Sequence, residues 1–213
     1  MAEDLAQAPA PMVMGSPQDG APAAGEIQIT TLLKFGGCEQ ATKLIEPMHD
    51  GFGSKACCLC CYFSKSDMLK DLKNYKKYPD EKLDVCGLAV CDGEVLGYCQ
   101  LGFSDMPGDQ SMPPCIRHKV KEGEGYVEQI SVSAKARGKG VGTKLLTWAD
   151  EVSRARNCKV MELAVVHGNP AMHLYERHGY EYLPQTAFEK VRLCITVGML
   201  MRRTGAKKMV KKL

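Results

Sequence analysis

The residues best suited to chemistry form a glycine-rich turn, Arg137 to Gly142, with the sequence R-G-K-G-V-G. Three glycines let a ligand come close to the backbone, and the two cations can meet negative charge. The turn runs into a segment with apolar residues at helical spacing: Leu145, Leu146, Ala149 and Val152. The first turn of a helix offers backbone N–H groups and the positive end of the helix dipole. The pattern therefore predicts a cradle for phosphate groups.

Three phosphate-binding motifs match this turn to different degrees. A nucleotide P-loop needs G-x-x-x-x-G-K-[ST], but Gly142-Thr143-Lys144 has the last residues in the reverse order. The dinucleotide fingerprint needs G-x-G-x-x-G, whereas the glycines here fall in G-x-G-x-G. The acidic residue about 20 positions further on, Glu162, also lies inside a predicted strand and not at its end. The pattern [QR]-x-x-G-x-[GA] matches in full, and a turn that binds nothing is the alternative.

A strand is predicted directly before this turn, over residues 126–132, because polar and apolar side chains alternate there. Its apolar members are Val127, Ile130 and Val132. A polar turn follows at residues 133–136, so the whole unit is a strand, a glycine turn and a helix.

The N-terminal half supplies elements that must position this unit. A strand is predicted at residues 26–33, and helices at 39–48 and 66–77. Two further strands, at 83–91 and 94–103, are joined by Asp92-Gly93, a dipeptide typical of hairpin turns. A polar loop then covers residues 104–125.

The C-terminal half continues with alternating strands and helices. A buried strand is predicted at residues 160–166. A short helix follows, with Asn169-Pro170 at its start and Gly179 as its left-handed C-cap. Short strands are predicted at 180–183 and 208–213. This succession of elements predicts a mixed α/β sheet.

Composition limits the classes of protein. The 213 residues, 45% of them hydrophobic, predict one domain at residues 26–213 after a disordered tail at 1–25. A net charge of +3 without a basic stripe argues against a nucleic-acid partner. No secretory signal precedes the eleven cysteines, so we expect reduced thiols and a cytoplasmic protein, with a nuclear location left open.

The motifs resemble those of the GNAT superfamily of acyl-CoA-dependent N-acetyltransferases. The resemblance is carried by residues 127–146 (V-E-Q-I-S-V-x-x-x-x-R-G-K-G-V-G-T-K-L-L), by Asn169-Pro170-Ala171 and by residues 174–180 (L-Y-E-R-H-G-Y). The family's second signature is close to N-P-A-x-x-L-Y-E-x-x-G-F, from which Tyr180 departs. Ala134 also stands where many members have proline. The match is specific over residues 125–183 and only topological before them.

The resemblance implies a fold and a cosubstrate. The fold would be a mostly antiparallel, twisted mixed sheet of about six to seven strands with about four helices, splayed between the fourth and fifth strands. Acetyl-CoA would lie in the splay, its pantetheine arm paired with main-chain groups of the fourth strand and its pyrophosphate at the helix start. No metal is expected. The implied cofactor-binding residues are Ile130, Ser131, Val132, Arg137, Gly138, Lys139, Gly140, Val141, Gly142, Thr143, Asn169 and Tyr175.

Two residues are implied as catalytic. Tyr175 matches the family's tyrosine and would donate a proton to the departing thiolate, while a core tyrosine is the structural alternative. Glu128 would accept the amine's proton, directly or through a water, unless it is a cross-strand charge partner. Glu122 and Glu124 are fallback bases. Asn169 is expected at the pantetheine arm, although its role as a helix cap would explain it equally well.

Two segments have several interpretations. Residues 56–63 hold Cys57, Cys58, Cys60 and Cys61, which fit small buried hydrophobes better than a zinc or redox site, with S-acylation as a third reading. Residues 191–201 are apolar and precede six cations, which favours a buried helix and an exposed last strand over an interfacial membrane contact.

The sequence thus predicts an N-acetyltransferase that moves an acetyl group from acetyl-CoA to a primary amine of a small molecule or a protein. The alternative is a non-catalytic acyl-CoA-binding or scaffold protein of the same fold, held at a membrane through its cysteines. A monomer and a homodimer are both compatible with the sequence.

Overall fold

The computed structural model of the chain describes residues 25–52, 69, 72–109, 117–166, 168–184 and 206–213. Its elements in chain order are β1 (Gln28–Thr31), a 3-10 helix (Gly37–Leu44), α1 (Ile45–Phe52), a 3-10 helix (Lys73–Lys77), α2 (Asp80–Asp84), β2 (Cys86–Cys91), β3 (Glu94–Gly102), β4 (Glu124–Val132), a 3-10 turn (Ala134–Ala136), α3 (Val141–Ala155), β5 (Val160–Val166), α4 (Met172–Arg177), β6 (Glu181–Tyr182) and β7 (Ala206–Lys212).

The strands form one seven-stranded sheet in the order β1-β2-β3-β4-β5-β7-β6. Every neighbouring pair is antiparallel except β4 and β5, which run parallel. The predicted mixed, mostly antiparallel sheet is therefore confirmed.

The predicted splay lies between β4 and β5. Residues 124–127 of β4 pair with residues 160–163 of β5, and the ladder between the two strands stops there. Beyond that point β4 stays paired with β3 and β5 stays paired with β7. The two middle strands of the sheet therefore part at their carboxyl ends.

A bulge interrupts the pairing of β3 with β4. Gln129 lies opposite Gln100 and Val127 lies opposite Leu101, so Glu128 is the extra residue between two paired ones. A bulge of this kind bends the strand and redirects a side chain. The candidate base thus stands at a local break in the alternation of the strand.

The sheet packs two apolar cores. One forms around α3, the inner residues of β4 and β5, and Tyr175 of α4. The other forms around α1 and the 3-10 helix before it, with Leu88 of β2 and Tyr98 of β3. Since both faces of the sheet are covered, the groups at the parting strands lie between two layers of helix.

Several predicted bounds agree with the structure. The strand at 160–166 has the predicted limits, and the hairpin turn has Asp92 at φ 49° and Gly93 at φ 78°, as a type I′ turn requires. Gly179 adopts φ 89° directly after α4 and its flanking turn, which confirms its predicted conformation.

Other bounds differ. Leu83 and Asp84, predicted as the start of a strand, lie in α2, whose short turn carries no periodic signal. β4 begins at Glu124, so the polar loop ends two residues earlier than predicted. The helix predicted at 39–48 is a 3-10 helix in its first half and continues as α1 to Phe52. The helix predicted from Asn169 begins at Met172.

Some predictions fall on residues that the structure does not describe. They concern the N-terminal tail up to residue 24, the four-cysteine cluster, most of the helix at 66–77 and the apolar segment 191–201. Among the described helices, none is long and apolar enough to cross a membrane.

Candidate functional site

The glycine turn forms the start of α3. Gly138 and Gly140 have φ angles of 77° and 76°, left-handed values that glycine adopts without strain. Gly140 is the N-cap of α3, and none of the described side chains caps this helix start. Gly138, Lys139, Gly140 and Thr143 are exposed. The first N–H groups of the helix are thereby offered to a ligand from outside.

Arg137 is fastened to α1. Its Nη2 donates to the carbonyl oxygen of Asp50 at 2.7 Å, and the Asp50 carboxylate accepts the backbone N–H of Ala134 at 2.7 Å. Arg137 was predicted to add charge for a phosphate, but its guanidinium here joins the end of α1 to the turn before α3. Lys139, the other cation of the turn, is exposed as Arg137 is.

The main chain of β4 faces the gap left by β5. Ser133 donates its N–H to Leu96 of β3 at 2.8 Å, and the direction of N–H groups alternates along a strand. The N–H groups of Ile130 and Val132 therefore point to the side from which β5 has parted. Ser131, in contrast, is buried and donates its hydroxyl to the carbonyl of Pro47.

Glu128 forms a buried ion pair. Its Oε2 lies 2.8 Å from Nζ of Lys82, and the two side chains are 4% and 0% exposed. Lys82 comes from α2 and also donates to the carbonyl oxygen of Leu101 at 2.8 Å. A lysine of α2 thus binds the carboxylate of the candidate base.

The surroundings make Glu128 a base for neutral pH. Burial raises the pKa of Glu128 to about 7, although the charge and hydrogen bond of Lys82 oppose the rise. The charge of Asp109 adds to the rise, while its backbone N–H donates to the carboxylate and opposes it. A carboxyl with a pKa near the working pH can take a proton efficiently.

Tyr175 lies buried on α4, with its ring 6.1 Å from that of Tyr180 in an edge-on contact. Burial, and the nearby Cys99 thiol, raise its pKa above the ordinary value, so the phenol keeps its proton. Among the described residues, none of the side-chain hydrogen bonds involves the Tyr175 hydroxyl. Tyr175 can therefore act as a donor to an incoming group.

α4 rests against the first turn of α3. A methyl group at Gly142 would stand 2.8 Å from Cδ2 of Leu174, so a larger residue there would displace the end of the Leu174 side chain. Val141, the residue before it, packs its side chain in the core, so a phosphate contact at this position would fall to its backbone N–H. Asn169 accepts the N–H of Ala171 at 3.1 Å in a local turn before α4. The N-cap of α4 is Ala171, and none of the described side chains caps this helix, so the structure does not give Asn169 the capping role.

The fallback base Glu124 is occupied elsewhere. Its carboxylate lies 2.6 Å from Nε2 of His118 and accepts the N–H of Lys121 at 3.0 Å. Burial alone would raise the pKa of Glu124, but the bonds from His118 and Lys121 hold it below the usual range. Glu162 lies 3.9 Å from the same histidine nitrogen, and burial raises its pKa. Glu122 is exposed. Glu128 is therefore the stronger base.

Sequence reasoning missed the partners of these residues. Lys82 stands between two predicted elements and belongs to no motif, so nothing marked it as the ion-pair partner of Glu128. Asp50 and Arg137 are 87 positions apart, which no local pattern can reveal. Gly102, at the end of a predicted strand, is a local signal in the sequence, because a glycine within a strand often marks the close approach of another group.

Comparison with a family model gives one match. The model of the "Acetyltransferase (GNAT) family" matches residues 57–180. This stretch runs from the segment after α1 through the hairpin, the glycine turn and α4. No curated protein matches the chain.

Three solved structures share the fold. PH1933 from Pyrococcus horikoshii OT3 has a TM-score of 0.59 and 22% identity, over 88% of this chain and 99% of that one. The PaiA N-acetyltransferase from Thermoplasma acidophilum, in complex with coenzyme A, has a TM-score of 0.56 and 15% identity, over 88% of this chain and 99% of that one. The ribosomal-protein-alanine N-acetyltransferase from Brucella melitensis has a TM-score of 0.53 and 18% identity, over 87% of this chain and 99% of that one. At these identities the likeness concerns the fold alone.

Proposed function

Because the chain belongs to the acetyltransferase (GNAT) family, we propose that it transfers an acetyl group from acetyl-CoA to a primary amine. The observation that carries this proposal is the parting of β4 from β5 beside the uncapped start of α3. A gap of this kind can admit a narrow chain that ends in phosphates. The resemblance to N-acetyltransferases in the sequence is confirmed at the level of the family.

Acetyl-CoA is the proposed cosubstrate. Its amide-bearing arm would pair with the main chain of Ile130 and Val132, whose N–H groups face the gap. Its pyrophosphate would meet the N–H groups at the exposed glycine turn, with Lys139 supplying charge. The coenzyme A complex of the T. acidophilum protein, which shares this fold, supports the choice.

Glu128 would accept the proton that the attacking amine must lose. The carboxyl has a pKa of about 7, which suits proton transfer at neutral pH. Its side chain is almost fully buried, so a water is the natural carrier between the amine nitrogen and the carboxylate. The amine lone pair then forms the new C–N bond as the C–S bond of the thioester breaks.

Tyr175 would return a proton to the departing thiolate. Burial keeps the phenol protonated across the physiological range, because its pKa is raised. A hydroxyl without another partner among the described residues can turn toward the sulfur. The two proton steps would then be divided between a carboxylate on β4 and a phenol on α4.

The cysteines agree with a reducing compartment. The described ones, Cys38, Cys86, Cys91, Cys99 and Cys158, are free thiols. This supports the cytoplasmic location that we propose with the activity.

The test is release of the free thiol of CoA in the presence of amines, corrected for hydrolysis. The panel holds polyamines, amino sugars, arylalkylamines and a peptide with a free α-amine and a lysine. We expect amine-dependent release with one class, and a release slowed by roughly 100-fold or more but still measurable in Glu128→Gln. Tight acetyl-CoA binding without release from any amine would contradict the proposal and favour a non-catalytic acyl-CoA-binding protein.

A further inference from the structure

Glu128 lies in a motif that carries the family resemblance, whereas its partner Lys82 lies outside all of them. We propose that Lys82 is a positioning residue of the transfer reaction, whose ammonium group holds the Glu128 carboxylate ionised and in one orientation. The inference rests on the proposed function, because it gives Lys82 a role through the base. It is independent of which amine is the acceptor.

All the surroundings of the Lys82 ammonium are acceptors. Nζ donates to the carbonyl oxygen of Leu101 and to Oε2 of Glu128, each at 2.8 Å. The ring of Tyr78 lies on a third side, with its centroid 5.9 Å from Nζ. An ammonium group has three donors and no acceptor, so this environment fits the charged form of lysine.

Stability alone does not account for the pair. The Lys82 side chain is 0% exposed and that of Glu128 is 4% exposed, so both charges have lost their water. Burying two ions costs so much that well-packed apolar residues in their place are often as stable or more so. The pairing of Lys82 with the candidate base is therefore better explained by the task of the carboxylate, which is to accept a proton.

The geometry leaves the carboxylate one defined orientation. Lys82 takes up Oε2, while Oε1 lies against Gly102, where a methyl group would be 2.5 Å away. The backbone N–H of Asp109 adds a further bond to the carboxylate. The side chain is thus fixed from α2, from the end of β3 and from the loop after it.

Among the charged and titratable groups that face Glu128 in the described part of the chain, Lys82 is the cation. The others are Asp109 in the loop after β3, Cys86 of β2, Cys99 of β3 and Tyr126 of β4. These become negative when they ionise, and they favour the protonated carboxyl. Removing the Lys82 charge should therefore raise the pKa of Glu128, because the charge and hydrogen bond of Lys82 would no longer offset the effect of burial.

The experiment compares the pH dependence of kcat/KM in the wild type, Lys82→Met and Lys82→Arg. Activity should rise with pH as Glu128 ionises. In Lys82→Met that rise should move upward by roughly 1 to 3 pH units. Lys82→Arg keeps the charge and should keep most of the wild-type profile. In a Glu128→Gln background Lys82→Met should not move the profile at all.

Two controls separate this role from a structural one. Thermal unfolding and acetyl-CoA binding are measured for each variant, and a folded, cofactor-binding Lys82→Met with an unmoved profile would overturn the proposal. If Lys82→Met does not fold, Lys82→Gln removes the same charge with a polar side chain and takes its place.

Failure of the proposed function would give a different result. The wild type would then show no amine-dependent release, whatever happens at Lys82. Titration of the Glu128 carboxyl by carbon-13 NMR still tests the pairing without any activity. An upward shift in Lys82→Met supports it, and an unchanged titration overturns it.

Discussion

Gly102 and Glu128 approach so closely that a methyl group on Gly102 would stand 2.5 Å from Oε1 of the carboxylate. No real Cβ tolerates such a distance, so one of the two must move. The backbone of β3 is held in the sheet between β2 and β4, whereas the glutamate side chain can turn.

Gly102→Ala should therefore displace the carboxylate and slow the reaction with little loss of fold. A shift of about 1 Å in a catalytic group can cost roughly 100-fold in rate. We expect kcat to fall by about 10- to 100-fold while acetyl-CoA binding is kept, as measured by steady-state kinetics and titration calorimetry. In a Glu128→Ala background the same substitution should have no further effect on kcat. An additional loss there would mean that Gly102 acts through some other contact.

Tyr175→Phe should lower turnover far more than it weakens acetyl-CoA binding. The substitution removes the hydroxyl and keeps the ring against Tyr180. General acid catalysis contributes on the order of 100-fold or more, so kcat should fall by about that factor. Tyr180→Phe is the matched control, because it also removes one buried hydroxyl and should keep turnover. Equal losses of turnover and binding in Tyr175→Phe would contradict its role as the acid.

The raised pKa of Glu128 should also appear in the stability of the fold. In the folded chain this carboxyl has a pKa of about 7, against 4.5 for an unburied glutamate. Between these values the folded state holds a proton that the unfolded state has released. The contribution of this proton to the free energy of unfolding is therefore fully present below about pH 4.5. It is lost as the pH rises toward 7, by at most about 1.4 kcal/mol per pH unit.

Urea unfolding from pH 4.5 to 8 measures this contribution. Glu128→Gln removes the titrating group, so the part of the slope that belongs to Glu128 should disappear. Glu81→Gln removes an exposed carboxyl of the same helix that carries Lys82 and should leave the slope unchanged. A Glu128→Gln protein with the wild-type slope would show that Glu128 titrates as it does in water.

The Asp150 carboxylate should be worth much more to stability than the exposed ion pairs. Its Oδ2 meets Nζ of Lys211 on β7 and lies 3.1 Å from Nε2 of His178, which follows α4. Asp150→Ala leaves Lys211 as a half-buried charge without this partner, a change that costs about 3 kcal/mol. Glu94→Ala breaks the exposed contact with Lys135 and should cost far less, because water screens an exposed ion pair. Equal midpoints in urea for the two variants would contradict this difference.

The elements that sequence predicted well are those whose signals are local. The strand at 160–166 is a short apolar run, and Asp92-Gly93 and Gly179 need left-handed backbone angles that their residue types favour. The family motifs also led to the glycine turn and to Tyr175. These features depend on neighbours within a few positions.

The parts that sequence could not predict depend on distant contacts. α2 is a helix of five residues, whose Asp84 accepts the hydroxyl of Thr31 at 2.8 Å, and no periodicity shows in so short a segment. The bulge at Glu128 adds one residue to β4, and alternation cannot reveal an extra residue. Lys82 reaches Glu128 across 46 positions, so the partner of the base was invisible until the sheet was assembled.

The parting of β4 from β5 gives the seven-stranded sheet an edge in its own interior. Main-chain groups of Ile130 and Val132 face that edge, and strand edges are templates for pairing with other chains. Under the proposed function a bound acyl-CoA occupies this edge as an extra strand would. The bound cosubstrate would then also protect the protein from self-association. The tendency of the protein to aggregate would therefore depend on the concentration of acyl-CoA.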